Sequence, residues 1–215
     1  MPGPANRAPG DAREAVLERI RVALADGPPA VTIPREYELA LPPGADIAEL
    51  FVERVGHYRA TVHRTTPAGL AATIVGVLGA QQAARIVIPA DVPGAWLEGV
   101  TAERVHDDPP LAYLDLDRLD GVITGCAVAI AETGTIILDG GPDQGRRVLS
   151  LLPDLHLCVV RADQVVGSVP EALARLSPTR PLTWISGPSA TSDIELQRVE
   201  GVHGPRRLEV VFVEG

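Results

Sequence analysis

The chain has 215 residues, enough for one sizeable core, and 46% of them are hydrophobic while 22% are charged. This composition is typical of a globular protein and excludes an intrinsically disordered one. The formal net charge of −9 disfavours nucleic-acid binding, because an acidic chain repels phosphate backbones. The sequence contains no apolar run of about 18 residues and no secretory signal, so we expect a cytoplasmic protein without a membrane span.

The sequence has two cysteines, Cys126 and Cys158, which are too few for an iron–sulfur cluster or a four-cysteine zinc site within one chain. Both lie in apolar stretches, so buried free thiols are favoured over a disulfide. A zinc-protease motif, a P-loop and a dinucleotide-binding fingerprint are all missing from the sequence. We therefore predict that this chain itself binds neither a metal nor a redox cofactor.

The first 44 residues are predicted to form a helix and a connector. Residues 1–10 are rich in proline and glycine, and we expect them to be disordered. A helix should begin at Asp11, which can cap it, and end near residues 26–29, where the sequence is Asp-Gly-Pro-Pro. Residues 27–44 contain five prolines and should form an extended connector. The folded domain is therefore predicted to cover residues 45–215.

Two further helices are predicted at the start of this domain. Asp46 should cap a helix over about Ile47–Tyr58, whose apolar side chains fall on one stripe. Thr66 should cap the next helix, with Pro67 at its first position and its apolar face continuing to Leu78.

From Arg85 onward, short segments rich in Val and Ile alternate with helical ones. The predicted strands are Arg85–Pro89, Gly121–Thr124, Val128–Ala131, Thr135–Leu138, Leu155–Val160, Leu182–Ser186 and Leu208–Val213. The predicted helices are Gln144–Leu152, Ser168–Leu176 and Ser189–Glu200. Such alternation predicts an α/β fold, with a mostly parallel sheet covered by helices on both faces. The strands on either side of residues 132–134 could instead form a tight hairpin, which would make the sheet mixed.

The first candidate site is the polar stretch that interrupts this pair of strands. A carboxylate and two hydroxyls beside a glycine can face a ligand at the edge of a sheet. If Glu132 is desolvated, its pKa would rise and it could act as an acid, a base or a nucleophile. Glu132 is thus the catalytic candidate, and Thr133, Gly134 and Thr135 are candidate ligand-binding residues. The pattern alone favours the alternative, a simple hairpin turn with a solvated Glu132.

The second candidate site is a glycine-containing loop that leads from a strand into a predicted helix. Hydroxyl side chains cluster at the start of that helix, where free N–H groups and the helix dipole favour an anion. Ser192 and Glu195 also fit a capping box, so these hydroxyls could serve only to cap the helix. The candidate ligand-binding residues of this loop are Ser186, Gly187, Ser189 and Thr191.

The third candidate site precedes the last strand. His203 lies between two glycines, although a lone histidine in a loop is more often structural than catalytic. Arg206 could bind a carboxylate ligand through its planar guanidinium, or it could pair with one of the protein's own acids. The three segments together predict an anion pocket.

These segments resemble the LUD family and, within it, the lactate-utilisation protein C group. The resemblance covers residues 45–215. The matching stretches, in the family's order, are Ile123–Gly125 with Ala131–Thr135, Ser150–Pro153 with His156, Ser186–Ser189 with Thr191 and Asp193–Glu195, and Gly201–Pro205. The resemblance implies a three-layer α/β fold like that of the sugar-phosphate isomerases and CoA transferases.

The resemblance also implies an accessory subunit of a bacterial system that oxidises L-lactate to pyruvate. Its partners would be iron–sulfur oxidoreductase subunits, and iron–sulfur or flavin centres would lie in those partners. Two alternatives stay open. The chain could be a free-standing binding protein or enzyme that acts on a phosphorylated or carboxylated small molecule, like an isomerase or a CoA transferase. It could also be a homodimeric scaffold without a small-molecule site.

Overall fold

The structure is a computed structural model that describes residues 9–27, 31–188 and 204–215. The chain divides into two compact units, Met1–Tyr37 and Glu38–Gly215. The first unit contains helix α1, Pro9–Ala23, which begins two residues before the predicted start. Val16 and Ile20 of this helix are exposed. The predicted disorder of residues 1–8 lies outside the described residues.

The second unit contains four helices and ten strands within its described part. The helices are α2 (Ile47–His57), α3 (Leu70–Ala80), α4 (Tyr113–Leu116) and α5 (Val169–Arg175). The strands are β1 (Thr61–Thr65), β2 (Arg85–Ile88), β3 (Glu103–His106), β4 (Gly121–Thr124), β5 (Val128–Ile130), β6 (Thr135–Leu138), β7 (Leu155–Arg161), β8 (Val165–Val166), β9 (Thr183–Ile185) and β10 (Arg207–Val213). Single 3₁₀ turns lie at Pro67–Gly69, Gly94–Leu97, Arg147–Ser150 and Ala162–Gln164.

The strands form two sheets. Six parallel strands are arranged in the order β1-β10-β7-β4-β2-β3. The second sheet has the order β8-β5-β6-β9, and its β5–β6 and β6–β9 pairs are antiparallel. The hairpin alternative for residues 128–138 is therefore correct. The hairpin does not extend the parallel sheet, as a single mixed sheet would require, but belongs to the second sheet.

Alternating side chains of the parallel strands serve two hydrophobic cores, because successive residues of a strand point to opposite faces. On β7, Leu157 packs in a core with Ile74 of α3, whereas Cys158 packs in the core on the other face. That second core contains Phe51 of α2 and Phe212 of β10, whose ring centroids are 5.9 Å apart, and the inner face of the second sheet. Helix α5 covers the outer face of the second sheet. These layers confirm the predicted α/β class with helices on both faces.

The helix caps agree in part with the sequence prediction. Asp46 caps α2, since its carboxylate accepts a hydrogen bond of 3.0 Å from Glu49 N. Ser168 caps α5. Thr66 makes no capping bond, and Pro67 begins a 3₁₀ turn that precedes α3.

The predicted helix Gln144–Leu152 is wrong, and only the 3₁₀ turn Arg147–Ser150 forms there. Asp143 and Gly145 have φ angles of 59° and 66°, in the left-handed region, where a right-handed helix cannot continue. The predicted helix Ser189–Glu200 lies outside the described residues. Among the described residues, no helix is long and apolar enough to cross a membrane.

Candidate functional site

The order in which the chain adds strands to the parallel sheet reverses between β2 and β4. From β2 the chain proceeds outward to β3, and it then returns to β4 on the other side of β2. Ligands of open α/β sheets bind outside the carboxyl ends of the strands at such a point. Residues 139–146, which join β6 to the 3₁₀ turn at Arg147, lie there and are called the switch loop. Gly125 N donates a hydrogen bond of 3.0 Å to Asp143 O, and a Cβ atom on Gly145 would lie 3.1 Å from Pro89.

Beneath the switch loop lies a group of mostly buried polar side chains from β4, the segment that follows β4, β7 and the switch loop. We call it the thiol cluster, and it consists of Thr124, Cys126, Asp143, His156 and Cys158. The Thr124 hydroxyl lies 2.7 Å from His156 Nε2 and 3.8 Å from Cys158 Sγ. Both cysteines are free and buried, as the sequence predicted.

The two thiols contact each other, and their protonation is therefore linked. The hydrogen bond from Cys126 lowers the pKa of the Cys158 thiol, and hydrogen bonds with His156 and Thr124 add to this effect against the opposing effect of burial. The pKa of Cys126 is raised well above its usual range by the same contact and by burial. Within this pair, Cys158 therefore loses its proton more readily than Cys126 does.

Asp143 is the carboxyl group of this cluster. Burial raises its pKa to about 6, and the charges of Cys158, Asp91 and Asp139 act in the same direction, whereas Arg161 opposes them. In the described part of the chain, its Oδ1 atom is buried without a hydrogen-bond partner, as is His156 Nδ1. A Cβ atom on Gly125 would overlap the Asp143 carboxylate, so glycine is required where the loop crosses β4. A carboxyl group with a pKa near 6 can exchange a proton close to neutral pH.

Gln164 closes the thiol cluster from the other side. Its Nε2 atom donates a hydrogen bond of 2.6 Å to Cys126 O, and its Oε1 atom accepts one of 2.9 Å from Arg161 N. Oε1 also lies 3.6 Å from Cys126 Sγ. Because Gln164 is itself buried, these contacts shield the thiols from solvent.

The structure brings three of the predicted site residues together in the second sheet. The hydroxyl of Thr135 lies 2.8 Å from that of Thr133 and 2.8 Å from that of Ser186. We call these three residues the hydroxyl cluster. Glu132, next to this cluster in the sequence, is exposed. Its catalytic role remains a prediction.

Two predicted ligand-binding glycines have a structural explanation. Gly134 and Gly187 have φ angles of 60° and 80°, which favour glycine. A Cβ atom on Gly134 would lie 2.7 Å from the Arg54 carbonyl carbon, and one on Gly187 would lie 2.7 Å from Tyr58 O. Both glycines therefore allow the second sheet to approach the end of α2 closely.

Of the predicted residues not yet placed, Arg206 is the one that lies in the described part of the chain. Arg206 has 65% of its side chain exposed and lies 3.5 Å from Asp154 Oδ1, so it pairs with one of the protein's own acids. These two residues precede β10 and β7, at the end of the parallel sheet opposite the switch loop. Ser189, Thr191 and His203 lie outside the described residues. In the described ranges, no group of three or more His, Cys, Asp or Glu side chains is placed to hold a metal ion.

Asp143 was not predicted as a site residue, and the cysteines were treated only as core residues. A sequence feature that indicated this loop was the run Asp-Gly-Gly-Pro-Asp-Gln-Gly at residues 139–145, which is typical of a tightly turned loop.

Comparisons with known proteins agree with this architecture. The sequence profile of the LUD domain matches residues 48–213. Lactate utilization protein C of Deinococcus radiodurans is 48% identical over 208 residues, which cover 94% of this chain and 96% of that protein. Lactate utilization protein C of Bacillus licheniformis is 32% identical over 100 residues, or 43% of this chain and 41% of that protein.

A solved structure is similar as well. The crystal structure of a DUF162 family protein from Deinococcus radiodurans has a TM-score of 0.68 and 46% sequence identity, over 78% of this chain and 96% of that one. The profile match, the relatives and the fold agree, and the chain belongs to the LUD domain family.

Proposed function

We propose that this chain is an accessory subunit of a bacterial system that oxidises L-lactate to pyruvate in the cytoplasm. The observation that carries the proposal is the 48% identity with a protein named lactate utilization protein C, over 96% of that protein's length. Several other relatives carry the same name.

The electrons from lactate would pass to iron–sulfur or flavin centres in partner subunits. The sequence supports this division because the chain has two cysteines, and a four-cysteine cluster would need ligands from another chain. Both thiols are committed to contacts in the thiol cluster. We further propose that residues 45–215 form the LUD domain and that residues 1–44 form a helix and connector.

Deletion of the gene in the source organism tests the proposal. The deletion strain should fail to grow on L-lactate as sole carbon source, should grow normally on pyruvate, and should recover growth on lactate when the wild-type gene is restored. The pyruvate culture is the control, because pyruvate enters metabolism after the proposed step. Unchanged growth on lactate would contradict the proposal.

Affinity purification of the tagged chain from lactate-grown cells tests the partnership. We expect iron-containing oxidoreductase subunits to co-purify, with iron and acid-labile sulfide in the partner fractions. The same purification from glucose-grown cells controls for abundant contaminants. Recovery of the chain alone, with no associated iron protein, would contradict the assignment of the redox centres to partners.

A further inference from the structure

A cleft lies between the switch loop, the adjacent 3₁₀ turn and the start of β9. Its volume is about 360 Å³, at the lower end of the range of about 300–1,000 Å³ that is usual for small-molecule sites. Residues of its lining include Leu138, Arg146, Arg147, Ser150, Pro181 and Thr183. Its lining includes none of the hydroxyl cluster and none of the described residues that were predicted as site residues.

Among the described residues that line the cleft, one cation has no counter-charge. Arg146 binds Asp107 through two hydrogen bonds of 2.6 and 2.8 Å. Nearby, Arg180 donates a hydrogen bond of 2.6 Å to Asp139 of the switch loop. The guanidinium of Arg147, by contrast, has no hydrogen bond or ion pair with any residue in the described ranges. Arg147 is exposed, so its guanidinium is open to a ligand that enters the cleft.

The switch loop holds this wall of the cleft in a fixed shape. Asp139 N donates a hydrogen bond of 2.7 Å to Gln144 Oε1, and Gly141 N donates one of 3.0 Å to Asp139 Oδ1. Arg147 follows this loop directly, so its backbone is positioned before any ligand arrives. A prepared site loses less conformational entropy on binding.

The rest of the lining suits an organic molecule. Leu138 and Pro181 offer apolar surface for a carbon skeleton, and Thr183 and Ser150 offer hydroxyl groups. Ser150 Oγ donates a hydrogen bond of 3.0 Å to Arg147 O, which leaves its lone pairs free to accept one from a ligand hydroxyl. A guanidinium matches a carboxylate through two parallel hydrogen bonds.

We infer that this cleft binds a small organic carboxylate, with Arg147 as the residue that holds the carboxylate group. The cleft and its charges support the site itself, whereas the choice of L-lactate and pyruvate as the first ligands to test rests on the proposed function. Inorganic phosphate is the competing oxyanion that the same arginine would attract.

Isothermal titration of the full chain with L-lactate, pyruvate, malonate and inorganic phosphate, at constant ionic strength, tests the inference. We expect at least one organic acid to bind more tightly than phosphate. Arg147→Gln should weaken that binding about ten- to hundredfold, since charge-assisted hydrogen bonds are lost. Arg118→Gln is the matched control, because Arg118 is exposed and its acid partner is Asp115, and it should leave the affinity unchanged.

Arg147→Lys controls for a folding defect, because lysine keeps the positive charge but lacks the planar guanidinium. Its affinity for the organic acid should lie between those of the wild type and Arg147→Gln. Circular dichroism should show the same fold for all four proteins. Absence of binding by every organic acid, equal binding by Arg147→Gln, or tighter binding of phosphate would overturn the inference. Growth of the deletion strain on lactate would contradict the proposed function but would not affect this binding result. Failure of the proposed function and failure of the binding inference are therefore distinguishable.

Discussion

The hydroxyl cluster and the thiol cluster are two polar groups built in opposite ways. The hydroxyl cluster joins a hairpin turn to the next strand of the second sheet, and two of its three members are two residues apart. The thiol cluster joins two strands and a loop that are distant in sequence, and parallel register brings Thr124 opposite Cys158. The difference teaches that local turn chemistry can place Thr133 beside Thr135, whereas Ser186 and the thiol cluster come into place only once the strands have paired.

The largest effect is expected at the turn that supports the hydroxyl cluster. Gly134→Ala places a methyl group against the Arg54 backbone at a left-handed φ angle, and we expect the free energy of unfolding to fall by about 2–4 kcal/mol. Urea unfolding measures this loss. Gly76→Ala is the control, since Gly76 is an exposed helical residue with open space beside it and should gain up to about 1 kcal/mol. An equal change in the free energy of unfolding of the two variants would contradict the conclusion that α2 restricts this turn.

Access to the thiols should depend on Gln164. Gln164→Ala removes the amide that binds Cys126 O and Arg161 N, and we expect the thiols of the folded protein to react with a disulfide reagent about ten- to hundredfold faster. Asp163→Ala is the neighbouring control, because Asp163 is exposed. Fast reaction of the wild-type thiols, at the rate of the unfolded chain, would show that the cluster is not shielded.

The thiol cluster should also give the stability a pH dependence that the hydroxyl cluster does not. The pKa of Asp143 is raised from 3.8 to about 6 in the folded state, so between these values the folded protein retains a proton that the unfolded chain loses. The free energy of unfolding therefore falls as pH rises from about 4 to 6, by on the order of 1 kcal/mol.

Asp143→Asn, which mimics the protonated carboxyl, should lack this decline and should exceed the wild type in stability at pH 7. Urea unfolding at several pH values measures the difference, and Asp117→Asn, at an exposed position, should keep the decline. A difference between wild type and Asp143→Asn that is constant from pH 4 to 7 would contradict the raised pKa.

The smallest expected changes in stability come from a comparison of the hydroxyl cluster with the neighbouring carboxylate of Glu132. Thr135→Val keeps the shape of a buried side chain but removes contacts with Thr133 and Ser186, so we expect a loss of about 1 kcal/mol. Glu132→Gln alters an exposed side chain and should change stability by less than about 0.5 kcal/mol. A larger loss in Glu132→Gln than in Thr135→Val would show that Glu132 makes contacts absent from this structure.

The sequence predicted the features that depend on neighbouring residues. The buried strands of the parallel sheet and the cap at Asp46 were predicted, and the hairpin at residues 128–138 was one of two alternatives. The edge strands β1 and β3 were missed because one side of each strand has no neighbour, so polar residues such as His63 and Arg104 replace the apolar run.

The thiol cluster was beyond the reach of sequence patterns for a different reason. Cys126 and Cys158 occur in apolar stretches and resemble ordinary core residues until the register of β4 and β7 is known. The run at residues 139–145 indicated a loop, but Asp143 adopts a left-handed φ angle without being glycine, so the sequence did not show that its carboxylate reaches the cluster.

The position of β10 has a consequence for how the chain reaches its native state. In the parallel sheet, β1 pairs with β10, which lies between β1 and β7 although it is made about 150 residues after β1. A growing chain must therefore keep β1 unpaired, and the side of β7 that will receive β10 open, until residues 207–213 have left the ribosome. We therefore expect this long-range pairing to slow folding, and these two open strand edges to be the segments most prone to aggregation during synthesis.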